Sequence, residues 1–122
     1  MPARMTVLVV EDEPLILMDL CDFLSDLGFD PVACGSADRA AELLALGLLA
    51  DALVTDVDMP GLIDGIALAQ LVSSRYPSMQ VVVTSGRSSA ADRVPPGATF
   101  IPKPCDPAAI AGRLSAPVAA AA

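Results

Sequence analysis

Three runs along the chain are almost wholly apolar and do not alternate: residues 6–10, 52–55 and 80–84. Unbroken apolar runs of that length predict strands covered on both faces, the pattern of a parallel sheet. Residues 98–101 give a further strand, and 31–34 a weaker one that opens on Pro31, where a missing N–H is tolerated. Between these runs the apolar period changes. Leu17, Leu20, Cys21, Leu24 and Leu27 recur at helical spacing after Pro14, and Gly28 closes the segment. Ser36 is an N-cap for a helix over 37–46, with Gly47 beyond it. Residues 65–76 carry Ile66, Leu68, Ala69, Leu71 and Val72 and stop at Pro77. Asp106 followed by Pro107 opens a last helix that is expected to end near Leu114.

Between Gly86 and Gly97 the periodicity is poor. Residues 88–93 support one or two turns before Pro95-Pro96-Gly97, so a fourth helix should be short or irregular there. Residues 115–122 read as a low-complexity, frayed tail. Strands that alternate with helices imply an α/β fold with right-handed crossovers. Five strands in a chain of 122 residues suit the flavodoxin-like, doubly wound parallel order 2-1-3-4-5. We expect one domain over 1–122 with its core in 6–114.

Composition narrows the function. Apolar residues make up 54% and charged residues 18%, enough side chain for a core and too little charge for disorder. Fifteen acidic against seven basic residues, net −8, argue against direct nucleic-acid binding, which needs clustered Lys and Arg. No histidine is present, which removes His general bases, His-dependent triads and His-ligated zinc. The longest apolar helical stretch, 43–50, is far below the ~20 residues of a membrane span. The N-terminus lacks the apolar region and cleavage site of a signal peptide. A cytoplasmic protein without membrane contact is expected. Cys21, Cys34 and Cys105 are odd in number and widely spaced, which fits reduced thiols used as small hydrophobes.

In the predicted strand order, ligands bind beyond the carboxyl ends of the strands. There the chain places Glu11-Asp12-Glu13 after the first strand and Asp56-Val-Asp58-Met-Pro60 after the third. Thr84-Ser85-Gly86 ends the fourth and Lys103-Pro104 follows the fifth. Each group alone fits a helix start, a turn or a surface loop. Their convergence on one edge is what carries weight. Packed carboxylates repel and raise one another's pKa. A hard divalent cation with oxygen ligands relieves that, and Lys103 can neutralise a further incoming anion.

With these residues in place, the chain resembles the receiver domain of two-component response regulators over roughly residues 6–114. The resemblance rests on Val7-Leu-Val-Val-Glu-Asp-Glu-Pro14, Thr55-Asp-Val-Asp-Met-Pro60 with Asp64-Gly65, Val83-Thr-Ser-Gly86 and Phe100-Ile-Pro-Lys-Pro104. It implies a phosphorelay switch in which Asp56 accepts a phosphoryl group from a partner's phosphohistidine. The partner would be a sensor histidine kinase or a histidine phosphotransferase, and an unidentified downstream protein would read the result. It implies Mg²⁺, with Mn²⁺ as a substitute, held by Asp12 and Asp56, by Glu11 through water and by the Asp58 backbone carbonyl. Ser85 would hydrogen-bond the phosphoryl group, with Thr84 as the alternative hydroxyl, and Lys103 would pair with it. The Lys103–Pro104 bond would be cis, and Phe100 would be the switch aromatic or a plain core residue. Such a chain catalyses only its own phosphorylation and dephosphorylation. Met1 and the short tail favour a stand-alone, chemotaxis-regulator-like receiver.

Three departures from the family pattern are visible. Glu11 stands where Asp is commoner, the loop between Pro60 and Asp64 is one residue longer (Gly61-Leu-Ile), and the stretch from Ser85 to Lys103 is short. Two other readings use the same acids: a Toprim-like nucleotidyl-transfer domain and a haloacid-dehalogenase-like hydrolase. The first leaves Ser85-Gly86 and Lys103-Pro104 without a role; the second would carry its Asp-x-Asp on the first strand and in a longer chain.

Overall fold

The computed structural model describes residues 4–120, with side chains described up to Leu114. Five parallel strands form one sheet in the order β2-β1-β3-β4-β5. They are β1 (Thr6–Val10), β2 (Asp30–Cys34), β3 (Ala52–Asp56), β4 (Gln80–Ser85) and β5 (Thr99–Pro102). The helices are α1 (Pro14–Asp26), α2 (Ala37–Ala45), α3 (Gly65–Arg75) and α4 (Pro107–Ala120). A 3-10 segment over Ser88–Arg93 stands between β4 and β5, the short irregular element that the sequence predicts there.

Alternation along the strands splits the core in two. Leu8, Val10, Leu53, Val81 and Val83 pack with α2 and α3, and Ala90 of the 3-10 segment joins them. Val7, Val9, Ala52, Val54 and Val82 pack with Leu20 and Leu24 of α1 and Ile110, Ala111 and Leu114 of α4. Both faces of the central strands are covered, which explains their unbroken apolar runs. The caps follow local chemistry. Ser36 Oγ accepts the Arg39 N–H at 3.1 Å, and Asp64 Oδ1 accepts the Ala67 N–H at 2.9 Å.

Several element ends differ from the sequence reading. β3 and β4 each run one residue further, so Asp56 and Ser85 belong to strands. β2 starts one residue earlier, because the Asp30 N–H bonds the Met5 carbonyl at 2.9 Å. β5 is shifted by one: the Ala98 N–H closes a turn onto the Pro95 carbonyl at 3.1 Å, so pairing starts at Thr99. α1, α2 and α3 each end one residue sooner, with Leu27, Leu46 and Tyr76 as C-caps. α4 is the larger correction. Its backbone stays helical to Ala120, past the expected end at 114 and through Pro117, in line with the high helix propensity of its alanines. Residues 121–122 of the expected tail lie outside the described residues. Among the described residues no helix is long and apolar enough to cross a membrane.

Candidate functional site

Parallel pairing puts four strand ends on one edge. Val10 pairs with Thr55, so Glu11 and Asp56 come next to each other on β1 and β3. Asp56 pairs in turn with Thr84, and Ser85 with Pro102. The Lys103 N–H bonds the Ser85 carbonyl at 2.8 Å, which fixes the start of the β5–α4 loop. The Lys103–Pro104 peptide is cis.

Glu11, Asp12 and Asp56 each offer a carboxylate oxygen, all within 4.8 Å of one another. Glu11 and Asp56 are buried while Asp12 is exposed, so the cluster opens to solvent on one side. A set of clustered hard oxygen donors, part buried and part open, fits Mg²⁺, which keeps some of its waters. Lys103 Nζ lies 2.9 Å from Glu11 Oε1 and 3.3 Å from Asp56 Oδ1. Backbone N–H groups add to this: Glu13 donates to Glu11 Oε2 at 3.2 Å, and Val57 to Asp56 Oδ1 at 2.9 Å.

Burial pushes the carboxyls of Glu11 and Asp56 above the usual carboxylate range, and the Lys103 ammonium only partly offsets it. Burial by itself would lower Lys103. Its bonds to Glu11 and Asp56 outweigh that and hold the ammonium above its ordinary value. Burial likewise raises all three thiols, which are free.

The two candidate hydroxyls differ. Ser85 is wholly buried, and its Oγ accepts the Arg87 N–H at 3.0 Å. It follows Val83 by two residues, on the sheet face where Phe100 packs. Thr84 follows Val82, on the opposite face, and its Oγ1 points to the Thr55 carbonyl at 3.5 Å. Phe100 is half-buried against the first core cluster, level with Val83.

Asp58 stands apart from the three clustered acids. Its side chain is exposed and pairs with Arg87 Nη2 at 2.6 Å. Arg93 reaches Asp64 in a similar way at 3.6 Å. Two arginines flanking and ending the 3-10 segment thus face two acids of the β3–α3 loop. Sequence reasoning missed both; surface pairs this far apart leave no periodic trace. Past this loop, α3 begins at Gly65, whose N–H bonds the Val57 carbonyl at 3.0 Å. A Cβ at Gly65 would stand 1.8 Å from the Asp56 carbonyl oxygen.

The sequence profile of the response regulator receiver domain matches residues 7–115. A putative NtrX-like response regulator of Rickettsia conorii is 31% identical over 88 residues, 71% of this chain and 18% of that protein. The transcriptional regulatory protein AruR of Pseudomonas aeruginosa is 32% identical over 92 residues, 72% of this chain and 37% of that protein. The chain therefore spans well under half the length of these relatives. A response regulator receiver protein from Sinorhizobium medicae superposes with a TM-score of 0.88 at 29% identity, covering 96% of each chain.

Proposed function

This chain belongs to the response regulator receiver domain family, and on that premise we propose that Asp56 is its phosphoacceptor in a two-component phosphorelay. The observation that carries the reading is the placement of Asp56: at the carboxyl end of β3, beside Glu11 and Asp12 and 3.3 Å from Lys103. An aspartate carboxylate is a competent nucleophile without a histidine. In the transfer, a carboxylate oxygen of Asp56 bonds to phosphorus as the P–N bond to the partner's phosphohistidine breaks. The freed imidazole takes up a proton. The product is an acyl phosphate.

Such a transfer needs positioning and charge neutralisation more than acid–base chemistry. Lys103 can move from the carboxylates to a phosphoryl oxygen, and a hydroxyl at the end of β4 can donate to another: Ser85 Oγ, or Thr84 Oγ1, whose residue pairs with Asp56. Glu11, Asp12 and Asp56 would hold Mg²⁺, with the Asp58 carbonyl completing the set; bound there, the ion neutralises charge on the transferring group. Mn²⁺ offers the same oxygen chemistry. We assign the chain no catalysis beyond its own phosphorylation and dephosphorylation. Its partners are a sensor histidine kinase or histidine phosphotransferase and a downstream protein that reads the 3-10 segment, β5 and α4. The family match leaves nothing in favour of a Toprim-like or haloacid-dehalogenase-like domain.

The test is intact mass after incubation with acetyl phosphate and Mg²⁺. One phosphoryl group should add to the wild type and none to Asp56→Asn. A comparable gain on Asp56→Asn would overturn the assignment.

A further inference from the structure

Asp38 lies in the first turn of α2, two residues past the Ser36 cap. A carboxylate there suits the helix dipole. The structure gives it a second task. Asp38 Oδ2 accepts the Leu62 N–H at 2.9 Å and Oδ1 accepts the Ile63 N–H at 3.0 Å. Both oxygens therefore reach out of α2 to the loop that follows Asp56. Hydrogen bonds to an ionised acceptor are roughly twice as strong as neutral ones. Gly61 completes the fit. Its φ is +134°, and a Cβ there would stand 2.5 Å from Asp38 Oδ2. The carboxylate occupies the space that a side chain at position 61 would need.

The loop is tied at its two ends by backbone bonds, Val57 N–H to the Thr84 carbonyl and Gly65 N–H to the Val57 carbonyl, each at 3.0 Å. Between them come Asp58, Met59, Pro60 and the Gly61-Leu62-Ile63 bend. Leu62 is 95% exposed, while Ile63 packs against the first core cluster. The polar hold on the bend is the Asp38 carboxylate, which accepts from both amides.

We propose that Asp38 is a positioning residue for the cation site. By anchoring the bend from α2, it fixes where the Asp58 backbone carbonyl lies relative to Asp56, and so sets the affinity for Mg²⁺. This rests on the reading of the site given above.

The experiment is a titration of the protein with MgCl₂, followed by backbone amide NMR, on wild type, Asp38→Ala, Asp38→Asn and Gly61→Ala. Loss of outer residues that orient metal ligands weakens metal binding about 10-fold or more. Asp38→Ala should raise the Mg²⁺ dissociation constant by about that factor. Asp38→Asn keeps one acceptor oxygen and should fall between. Acetyl phosphate labelling of Asp38→Ala should need more Mg²⁺ yet reach the wild-type rate at saturation. A residue that only supports the fold would lower the melting temperature and leave the Mg²⁺ constant unmoved. An unchanged constant in folded Asp38→Ala overturns the proposal. If Asp38→Ala does not fold, Gly61→Ala, which crowds the carboxylate without removing it, decides in the same way. A wild type that binds no Mg²⁺ sinks the reading of the site, and this role with it. A wild type that binds, beside variants that bind equally well, sinks the positioning role alone.

Discussion

Lys103 Nζ is closer to Glu11, at 2.9 Å, than to Asp56, at 3.3 Å. The lysine thus rests on the first acid of the cluster and leans on the second. Two buried carboxylates share one ammonium, and Asp12 adds a third negative charge at the rim. The cluster is short of positive charge.

That shortage gives Lys103 a stabilising role beside its proposed one at the phosphoryl group. Lys103→Met leaves two buried carboxylates without their cation and should cost about 2 kcal/mol. Added Mg²⁺ should recover part of the loss, because it restores positive charge among the same acids. Thermal melts with and without Mg²⁺ check this. If the cation lifts wild type and variant equally, lysine and metal do not share the carboxylates.

Asp56→Asn should stabilise the protein at neutral pH, because it removes a buried carboxylate whose charged form burial disfavours. Burial raises the Asp56 carboxyl, so between the ordinary carboxylate range and the raised value the folded state binds more protons than the unfolded state. Stability therefore falls as pH rises through that window. The advantage of Asn should be full above it and fade toward pH 4. Urea midpoints across pH measure the gap. An Asn variant that is less stable at neutral pH would contradict the argument.

Mg²⁺ should raise the melting temperature of the wild type. At ten times its dissociation constant, a ligand confined to the folded state adds about 1.4 kcal/mol. Excess EDTA should abolish both that shift and the uptake of beryllofluoride. Uptake that survives EDTA would remove the metal from the account.

Ser85→Ala should still accept phosphate at Asp56. Ser85 follows Val83, the residue level with Phe100; in the proposed switch its hydroxyl would move toward the phosphoryl group and leave room for the ring. Beryllofluoride should shift amides over residues 85–113 in the wild type, and Ser85→Ala should lose the distant shifts. Intact transmission in that variant, or shifts centred on α1, would end this coupling hypothesis.

No sequence-specific DNA complex tighter than micromolar should form at moderate salt, given seven basic residues and a net charge of −8. Fluorescence anisotropy with random-sequence and operator-like duplexes is sufficient to check it.

The two-layer cover was legible because β1, β3 and β4 are apolar on both faces, and the strand order because they alternate with helices in a five-stranded chain of this length. Strand ends were harder to read. Asp56 and Ser85 break the apolar run while the backbone pairing continues through them. Ala98 reads like a strand residue but spends its N–H on a turn. The four groups at the strand ends could be found because the topology gathers them on one edge. Asp38, Arg87 and Arg93 left no such trace. Their partners are 24 to 29 residues away on exposed loops, where neither period nor composition constrains the residue type.

The contact between Gly65 and the Asp56 carbonyl limits how this sequence can vary. A Cβ at position 65 would meet that oxygen at 1.8 Å, so any other residue must push the backbone of β3 or the start of α3. A saturation library at 65, sorted for phosphoryl uptake, should return glycine alone. The same contact acts as a length stop: the chain between Asp56 and Gly65 can gain or lose residues only at the crown of its loop, around Gly61. Mutational tolerance around the acceptor should thus be steeply graded, near zero at 65 and widest at 62, although the two positions are three residues apart.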